Sequence, residues 1–265
     1  MRGEIAYKFE RQKRLLFLRR VFLAIIVFAV STAAVFYGAG RLFRLSNIEI
    51  AGNERVNTDD LRSQIKQTLS QNSIPLWPEE NIIFFNSESL AEALKKQFAA
   101  IDAVDISRDI WRKSLTVEVK ERNTWAVWCQ HACFYVDGGG ILFEPAPQFL
   151  GDLILKIIDE RSDNFSLGDR IMDLKTLSGV QKFAEQIKKN SGLSVKNIRI
   201  LPETELWLDT DGDFKIVLDP ETDFDRAYEN LAIFLKSAAE EKINEIDYID
   251  LRFQDKTFYR SLPVF

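Results

Sequence analysis

The chain of 265 residues carries 35 basic and 40 acidic side chains, and hydrophobic residues make up 46% of it. Seven of the basic and two of the acidic residues lie in the first 20 positions, so residues 41–265 hold 28 basic and 38 acidic side chains. A nucleic-acid-binding surface needs a basic stripe, and a domain that lies flat on anionic lipid needs a basic face. The acidic balance argues against both, while interleaved polar and apolar residues predict packed domains.

Residues 21–40 form an uncharged, mostly apolar segment that follows a basic tail. As a helix rising about 1.5 Å per residue, this segment spans roughly 30 Å, the thickness of a bilayer's hydrocarbon core. The lysine and arginine excess of residues 1–20 predicts a cytoplasmic tail, a transmembrane helix over 21–40 and an extracytoplasmic remainder, the type II topology of a single-pass cell (inner) membrane protein. The alternative is a cleaved signal peptide, whose apolar region is typically shorter, at about 7–15 residues.

The next segment, residues 45–122, has a pattern that predicts a β-α-α-β-β domain, with one three-stranded sheet and helices on one face. Alternating apolar residues predict strands at Leu45–Ile50, Val104–Arg108 and Leu115–Val119, the last two joined by a turn at Trp111–Lys113. Four-residue spacing predicts two helices, one capped by Asn57 or Thr58 and one by Asn86 or Ser87. Their apolar faces are Leu61, Ile65 and Leu69, and Leu90, Leu94 and Phe98; a loop through Pro75 and Pro78 and an apolar stretch Ile82–Phe85 separate them.

Residues 123–265 predict a mixed, β-rich domain with helices packed on one sheet, so the fold class of the whole chain is α+β. The predicted helices are Leu174–Ile187 and Phe224–Leu235. The predicted strands are Trp125–Trp128, Phe134–Val136, Ile141–Phe143, Ile154–Ile158, Val195–Leu201, Glu205–Leu208 and Phe214–Leu218, and a closing hairpin of Ile246–Phe253 and Thr257–Arg260.

Residues suited to catalysis are scarce, since His131 is the only histidine and no Ser-His-Asp arrangement exists without it. It lies between Cys129 and Cys133, which flank a three-residue hairpin loop. Three interpretations stay open: a cross-strand disulfide in an oxidising compartment, two free thiols, and a metal site that lacks a fourth ligand and has unusually tight spacing.

Three other motifs are better explained as ordinary structure. Ser63–Lys66 matches S-x-x-K but lacks the K-T-G and S-D-N motifs of penicillin-interacting enzymes. Asp209, Asp211 and Asp213 resemble the start of a calcium loop without its closing glutamate, and Gly138–Gly140 has no phosphate-loop helix after it. The sequence therefore predicts no active site, no enzyme activity, no cofactor and no small-molecule substrate.

Several segments, in this order, resemble the FtsQ/DivIB family of bacterial division proteins. Glu121, Arg122, Ala126 and Trp128 match the family pattern Glu-Arg-x-Pro-x-Ala-x-Trp, with Thr124 in place of proline. The other matching segments are Leu45–Gly52, Val104–Arg108, Leu115–Arg122, Tyr135–Phe143 and Tyr248–Phe253. The resemblance implies a polypeptide-transport-associated (POTRA) domain over 45–122 and a β domain over 123–265.

The resemblance also implies a function and partners. Such proteins are scaffolds at the division septum that bind the single-pass partners FtsB/DivIC and FtsL and help control septal peptidoglycan synthesis; no catalysis is implied. Two alternatives remain: a POTRA-bearing envelope adaptor in protein export or assembly, and a metal-dependent envelope protein built around Cys129, His131 and Cys133. The first usually carries several POTRA repeats or a barrel, and the sequence shows one repeat and no barrel pattern.

The closing hairpin is the predicted partner-binding edge. In its first strand Ile249, Leu251 and Phe253 alternate with Asp250 and Arg252, which predicts a packed face and a wet face. The second strand has no later segment to pair with, so it is a predicted sheet edge that can accept a partner strand. The family resemblance places the FtsB-type contact here; the predicted contact residues are Phe253, Thr257, Phe258, Tyr259 and Arg260.

Overall fold

A computed structural model describes residues 2–71, 82, 85–148, 154–203, 205–237, 243 and 245–262. The predicted loop through Pro75 and Pro78, and Ile83 and Phe84 of the apolar stretch Ile82–Phe85, lie outside these residues. The chain divides into two compact units. The first consists of Met1–Leu94 and Ala103–Val119, and the second of Lys95–Asp102 and Lys120–Phe265.

The first unit begins with one long helix, α1 (Arg2–Leu42). Its apolar part, Leu16–Gly38, has 23 residues and none of it is buried by the rest of the chain. At about 1.5 Å per residue this part is roughly 35 Å long, enough to cross a bilayer. Arg19 and Arg20 lie on this helix just before the predicted span of 21–40. Long arginine side chains can reach the interface from such positions.

The β-α-α-β-β order predicted for the next segment is confirmed. A sheet of order β1-β3-β2 is formed by β1 (Asn47–Ala51), β2 (Ile101–Asp109) and β3 (Ser114–Glu121). The helices are α2 (Thr58–Gln71) and α3 (Ser87–Gln97), which bury the predicted leucines and isoleucine; α3 ends one residue before Phe98. Asn57 and Asn86, rather than Thr58 and Ser87, are the caps, since each side-chain oxygen accepts a backbone N–H of the first turn.

The described residues of the second unit form one nine-stranded mixed sheet of order β12-β11-β10-β9-β8-β7-β4-β5-β6. The strands in chain order are β4 (Ala126–Cys129), β5 (Cys133–Val136), β6 (Leu142–Ala146), β7 (Lys156–Asp159), β8 (Val195–Ile200), β9 (Leu206–Thr210), β10 (Lys215–Leu218), β11 (Ile246–Asp250) and β12 (Phe258–Ser261). Every predicted strand exists, with ends that shift by up to three residues. The largest shifts are the later end of β6, at Ala146, and the earlier end of β11, at Asp250.

Two helices cover one face of this sheet, as predicted. They are α4 (Leu174–Ser191) and α5 (Phe224–Ser237), longer at their ends than the sequence predicts. One core joins Val180, Phe183 and Ile187 of α4 and Leu231 of α5 to inward residues of the strands. Asp173 caps α4, and hydrogen bonds from Thr176 lower the pKa of its carboxyl. The opposite face of the sheet carries charged and aromatic residues.

The buried carboxylate of Asp159 connects strands β4 and β7 to the segment that follows β7. Asp159, at the end of β7, accepts a hydrogen bond from Trp128 Nε1 on β4 at 3.0 Å. Arg161 forms a two-pronged pair with the same carboxylate, at 2.9 Å for Nε–Oδ1 and 2.6 Å for Nη2–Oδ2. Its Nη2 also donates to Ile171 O at 2.8 Å, and the hydrogen bonds that Arg161 donates to Asp159 raise the pKa of Arg161. The Asp159 side chain is 0% exposed, so these donors are its compensation for burial.

Gly179 of α4 lies directly against the ring of Phe224, the first residue of α5. A Cβ atom there would lie 2.2 Å from Cδ2 and 2.5 Å from Cε2 of Phe224. Alanine favours a helix over glycine by about 1 kcal/mol, but overpacking typically costs about 1–3 kcal/mol. We expect Gly179→Ala to lower the free energy of unfolding by about 1–2 kcal/mol, measured by urea denaturation. Gly138→Ala is the control, because nothing lies within 4 Å of its Cβ; equal stability of both variants would contradict the steric reason.

Candidate functional site

Strand β12 (Phe258–Ser261) is the outermost strand of the sheet order formed by the described residues. It pairs antiparallel with β11, with Asp250 opposite Phe258, Ile249 opposite Tyr259 and Tyr248 opposite Arg260. All four of its residues are exposed. The strand is shifted by one residue from the predicted Thr257–Arg260: Thr257 precedes it and is half-buried, and Ser261 belongs to it. An outermost strand presents backbone N–H and C=O groups on its outer side.

Exposed apolar side chains accompany this edge. The exposed fractions are 50% for Phe253, 49% for Phe258, 58% for Tyr259 and 46% for Leu262. The rings of Phe253 and Phe258 meet edge to face with centroids 5.2 Å apart. The predicted alternation through Phe253 is wrong, because β11 ends at Asp250 and Phe253 lies in the connecting turn. Ile249 and Leu251 are buried, but Phe253 is a surface residue.

Helix α5 holds the β11–β12 connection in place through residues spaced four apart. Arg226 Nη2 lies 2.5 Å from Asp255 Oδ1, and Asn230 Nδ2 donates to Gln254 O at 3.1 Å. One turn further along, the ring of Phe234 packs against Tyr259 at 5.3 Å. Residues i, i+4 and i+8 share one helix face, so this face of α5 supports the hairpin. Apolar periodicity does not predict this face, because Arg226 and Asn230 are polar; the four-residue spacing of Arg226, Asn230 and Phe234 is the signal that identifies it.

At the end of β11 a charged cluster replaces the predicted wet face. Asp250 is only 6% exposed. Arg252 donates two hydrogen bonds to the Asp250 carboxylate, Nε–Oδ1 at 3.0 Å and Nη2–Oδ2 at 2.7 Å. The Nη1 atom of Arg252 pairs with Glu205. The hydrogen bonds that Arg252 donates to Asp250, and secondarily the charges of Asp250 and Glu205, raise the pKa of Arg252. Asp250 and Arg252 therefore fix the strand end and are not available to a partner as single charges.

The cysteines lie far from this edge. Cys129 and Cys133 are directly opposite each other in the β4–β5 hairpin and are joined by a disulfide, with Cα atoms 4.1 Å apart. In this state neither sulfur is a thiolate that can bind a metal. His131 is exposed at the loop. β4 is six positions from β12 in the sheet order, about 29 Å at the usual strand spacing. The hairpin and the closing edge are separate sites.

The aspartates of the calcium-like motif belong to a turn. Asp209 lies in β9, Asp211 Oδ1 accepts the N–H of Ser194 at 2.8 Å, and Asp213 has a left-handed φ of 61°. Among the described residues, no group of three or more histidines, cysteines or carboxylates is placed to hold a metal ion. Ser63 and Lys66 lie on α2, with Ile65 buried between them.

The residues that carry the family resemblance have specific structural roles in the second unit. Arg122 Nη1 lies 2.5 Å from Asp137 Oδ2, and its Nε donates to Ala99 O at 2.9 Å. The other oxygen of Asp137 accepts the N–H groups of Gly139 and Ile141, which fixes the glycine turn. Gly140 has a φ of 78°, and a Cβ there would lie 2.9 Å from Leu177. The Arg122–Asp137 pair and the need for glycine at position 140 therefore give structural reasons for two of the matching segments, Leu115–Arg122 and Tyr135–Phe143.

Comparison with known proteins gives the identity of both segments. The family model "POTRA domain, FtsQ-type" matches residues 43–122. The family model "Cell division protein FtsQ/DivIB, C-terminal" matches residues 126–252. A search of curated proteins found no significant match. The two adjoining matches, in the order of the resemblance seen in the sequence, show that the chain belongs to the FtsQ/DivIB family of cell division proteins.

Proposed function

We propose that this chain is a membrane-anchored scaffold of the divisome that links FtsB/DivIC-like and FtsL-like partners and helps control septal peptidoglycan synthesis. The family is one of non-catalytic division scaffolds, and membership supports a single-pass membrane protein with a role in cell division. The observation that carries the finer proposal is the exposed strand β12 with its row of apolar side chains.

The proposed partner contact is strand addition to β12. The outward N–H and C=O groups of a sheet edge give backbone hydrogen bonds to any extended segment, and flanking side chains provide selectivity. Phe253, Phe258 and Tyr259 form an exposed apolar and aromatic surface beside that edge. Aromatic anchors of this kind contribute much of the energy in many interfaces. Arg260, exposed on the face opposite Tyr259, is the proposed contact for an acidic residue of the partner, and Thr257 begins the edge.

The proposed orientation has the N-terminus in the cytoplasm and residues after the anchor outside it, because lysine and arginine are concentrated before the span. A reporter enzyme that is active only outside the cytoplasm, fused after Phe265, should be active. The same reporter fused before Met1 is the control and should be silent. Activity of the N-terminal fusion alone would contradict this orientation.

The proposed site of action is the division septum, with the POTRA segment as a recruitment module. A fluorescent fusion of the full chain should gather at midcell in dividing cells. Deletion of residues 45–122 with the anchor retained should disperse the signal around the membrane, since the membrane-proximal domain is lost while α1 remains. His131→Ala is the matched control and should leave the signal at midcell. Midcell placement of the deletion would assign recruitment to another part of the chain.

A further inference from the structure

The tip of the β2–β3 hairpin exposes the most solvent-accessible aromatic side chain on the described surface outside α1. Trp111 is 93% exposed, and the neighbouring Ile110 is 37% exposed. Arg112 follows with a side chain that is 86% exposed. Nothing in the scaffold function proposed above uses this turn. A tryptophan in this state leaves a large apolar surface in water unless something covers it.

The strand register places this tip at the membrane end of the sheet. The chain leaves α1 at Leu42 and enters β1 at Asn47. β1 runs parallel to β3, and Asn47 is opposite Ser114, so β3 starts at the same end of the sheet as β1. The N–H groups of Ser46 and Asn47 both donate to Lys113 O, at 2.8 and 3.3 Å. The turn is therefore bonded directly to the segment that emerges from the membrane helix.

Chain length limits how far the tip can be from the bilayer. From Gly38, which lies within the predicted apolar span, to Leu42 the helix rises about 6 Å. The four residues from Leu42 to Ser46 add at most about 14 Å when fully extended. Ser46 thus lies within about 20 Å of the hydrocarbon core and Lys113 O within about 23 Å, while the headgroup layer itself extends about 5–8 Å from that core. Trp111 precedes Lys113 by two residues and lies in the same turn.

The turn is also held in one shape. Asp109 Oδ1 accepts the N–H of Arg112 at 2.9 Å, and Lys113 adopts a left-handed φ of 54°. Arg112 Nε lies 3.7 Å from Asp109 Oδ2. With one carboxylate against Arg112 and Lys113, the turn has a net positive charge in a segment that is acidic as a whole. A cleft of about 270 Å³ beside β1 adds Arg62 and Lys66 next to Ser46 and Asn47.

We propose that the β2–β3 tip is a second membrane contact, in which Trp111 inserts among the lipid headgroups and Arg112 and Lys113 meet anionic phospholipid. Tryptophan is enriched at membrane–water interfaces because its ring is apolar and its N–H is polar. Basic residues beside anionic lipid are attracted over about a Debye length. This contact is local, so it agrees with the acidic balance that argues against the whole domain lying flat. It rests on α1 as the anchor and is independent of the partner-binding edge.

The test uses the full chain reconstituted into vesicles of phosphatidylglycerol and phosphatidylethanolamine that carry bromine near the top of the acyl chains. Bromine quenches tryptophan emission only at short range. Trp111→Phe should reduce the tryptophan emission that is lost to bromine at least about twofold, because the indole ring at the interface is removed. Trp207→Phe, which changes a half-buried tryptophan of the second unit, is the matched control and should leave the quenched emission unchanged.

A second measurement keeps the result interpretable. Trp111→Cys labelled with an environment-sensitive dye should shift to the blue in these vesicles, and Ser178→Cys, exposed on α4, should not. Arg112→Glu should reduce the shift in anionic vesicles more than in phosphatidylcholine vesicles. Every variant should stay with the vesicles after an alkaline wash; release of the unaltered chain would overturn the anchor and this inference with it. If the chain stays with the vesicles but quenching does not depend on Trp111, the lipid contact alone is overturned. The lipid contact is also overturned if Trp111 is not quenched and Trp111→Phe loses partner capture.

Discussion

Tyr259→Pro in the full-length chain is expected to abolish capture of the extracytoplasmic segment of the FtsB/DivIC-like partner. Proline has no backbone N–H and is tolerated at a sheet edge, so it removes one donor that strand addition needs while the rest of the sheet stays paired. Along an antiparallel strand, successive N–H groups point alternately toward and away from the neighbouring strand. Because the Leu262 N–H donates to Glu245 O, this alternation turns the Arg260 N–H toward β11 and the Tyr259 N–H outward. Arg260→Pro is therefore the companion variant, which should weaken the β11–β12 pairing, whereas Tyr259→Pro should lose binding with unchanged circular dichroism.

The side chains around the edge allow a graded test of the same contact. Phe253→Ala removes an exposed ring that packs only against Phe258 among the described rings. Truncation of an interface anchor typically costs about 2 kcal/mol or more, a weakening of roughly thirtyfold in Kd. Leu167→Ala is the control, since Leu167 is similarly exposed, at 46%, but lies outside the hairpin. Binding by Phe253→Ala and by both proline variants at wild-type strength would place the interface elsewhere.

Asp159→Ala is expected to cause the largest loss of stability. It leaves the guanidinium of Arg161, whose side chain is 16% exposed, without its partner, and it leaves Trp128 Nε1 without an acceptor. Breaking a buried ion pair from one side typically costs about 3–5 kcal/mol. Thermal unfolding followed by tryptophan emission and near-ultraviolet circular dichroism measures this loss, because Trp128 is itself in the affected core.

Three further variants separate charge from size. Asp159→Asn keeps an acceptor for Trp128 but loses the charged pair, so it should lie between wild type and Asp159→Ala. The double variant Asp159→Leu with Arg161→Met removes both charges and should recover part of the loss. Asp225→Ala breaks an exposed pair with Lys182, with both side chains more than half exposed, and should have a much smaller effect. Equal losses for Asp159→Ala and Asp225→Ala would refute the role of burial.

The candidate edge shows how far sequence patterns predict a site. The pattern predicted a closing hairpin and a final edge strand, and both exist as β11 and β12. It assigned Phe253 to the packed face, because alternation was carried past Asp250, where the strand ends. The pair of Asp250 with Arg252 ends the strand at that point, and its geometry depends on Glu205 from a distant segment. The spacing of apolar residues within one segment cannot identify a partner that is distant along the chain.

Local apolar spacing along the chain is enough to predict the membrane helix, the type and order of the elements and most buried residues. Which strands are neighbours emerges only from the folded sheet: β7 pairs with β4 and β8, and β10 with β11, all in parallel. Any strand can hydrogen-bond with any other, so the choice depends on packing summed over the whole core. For the same reason, the bond between Ser46 and Lys113, which joins the β2–β3 turn to the segment after α1, followed only from the register of β1 and β3.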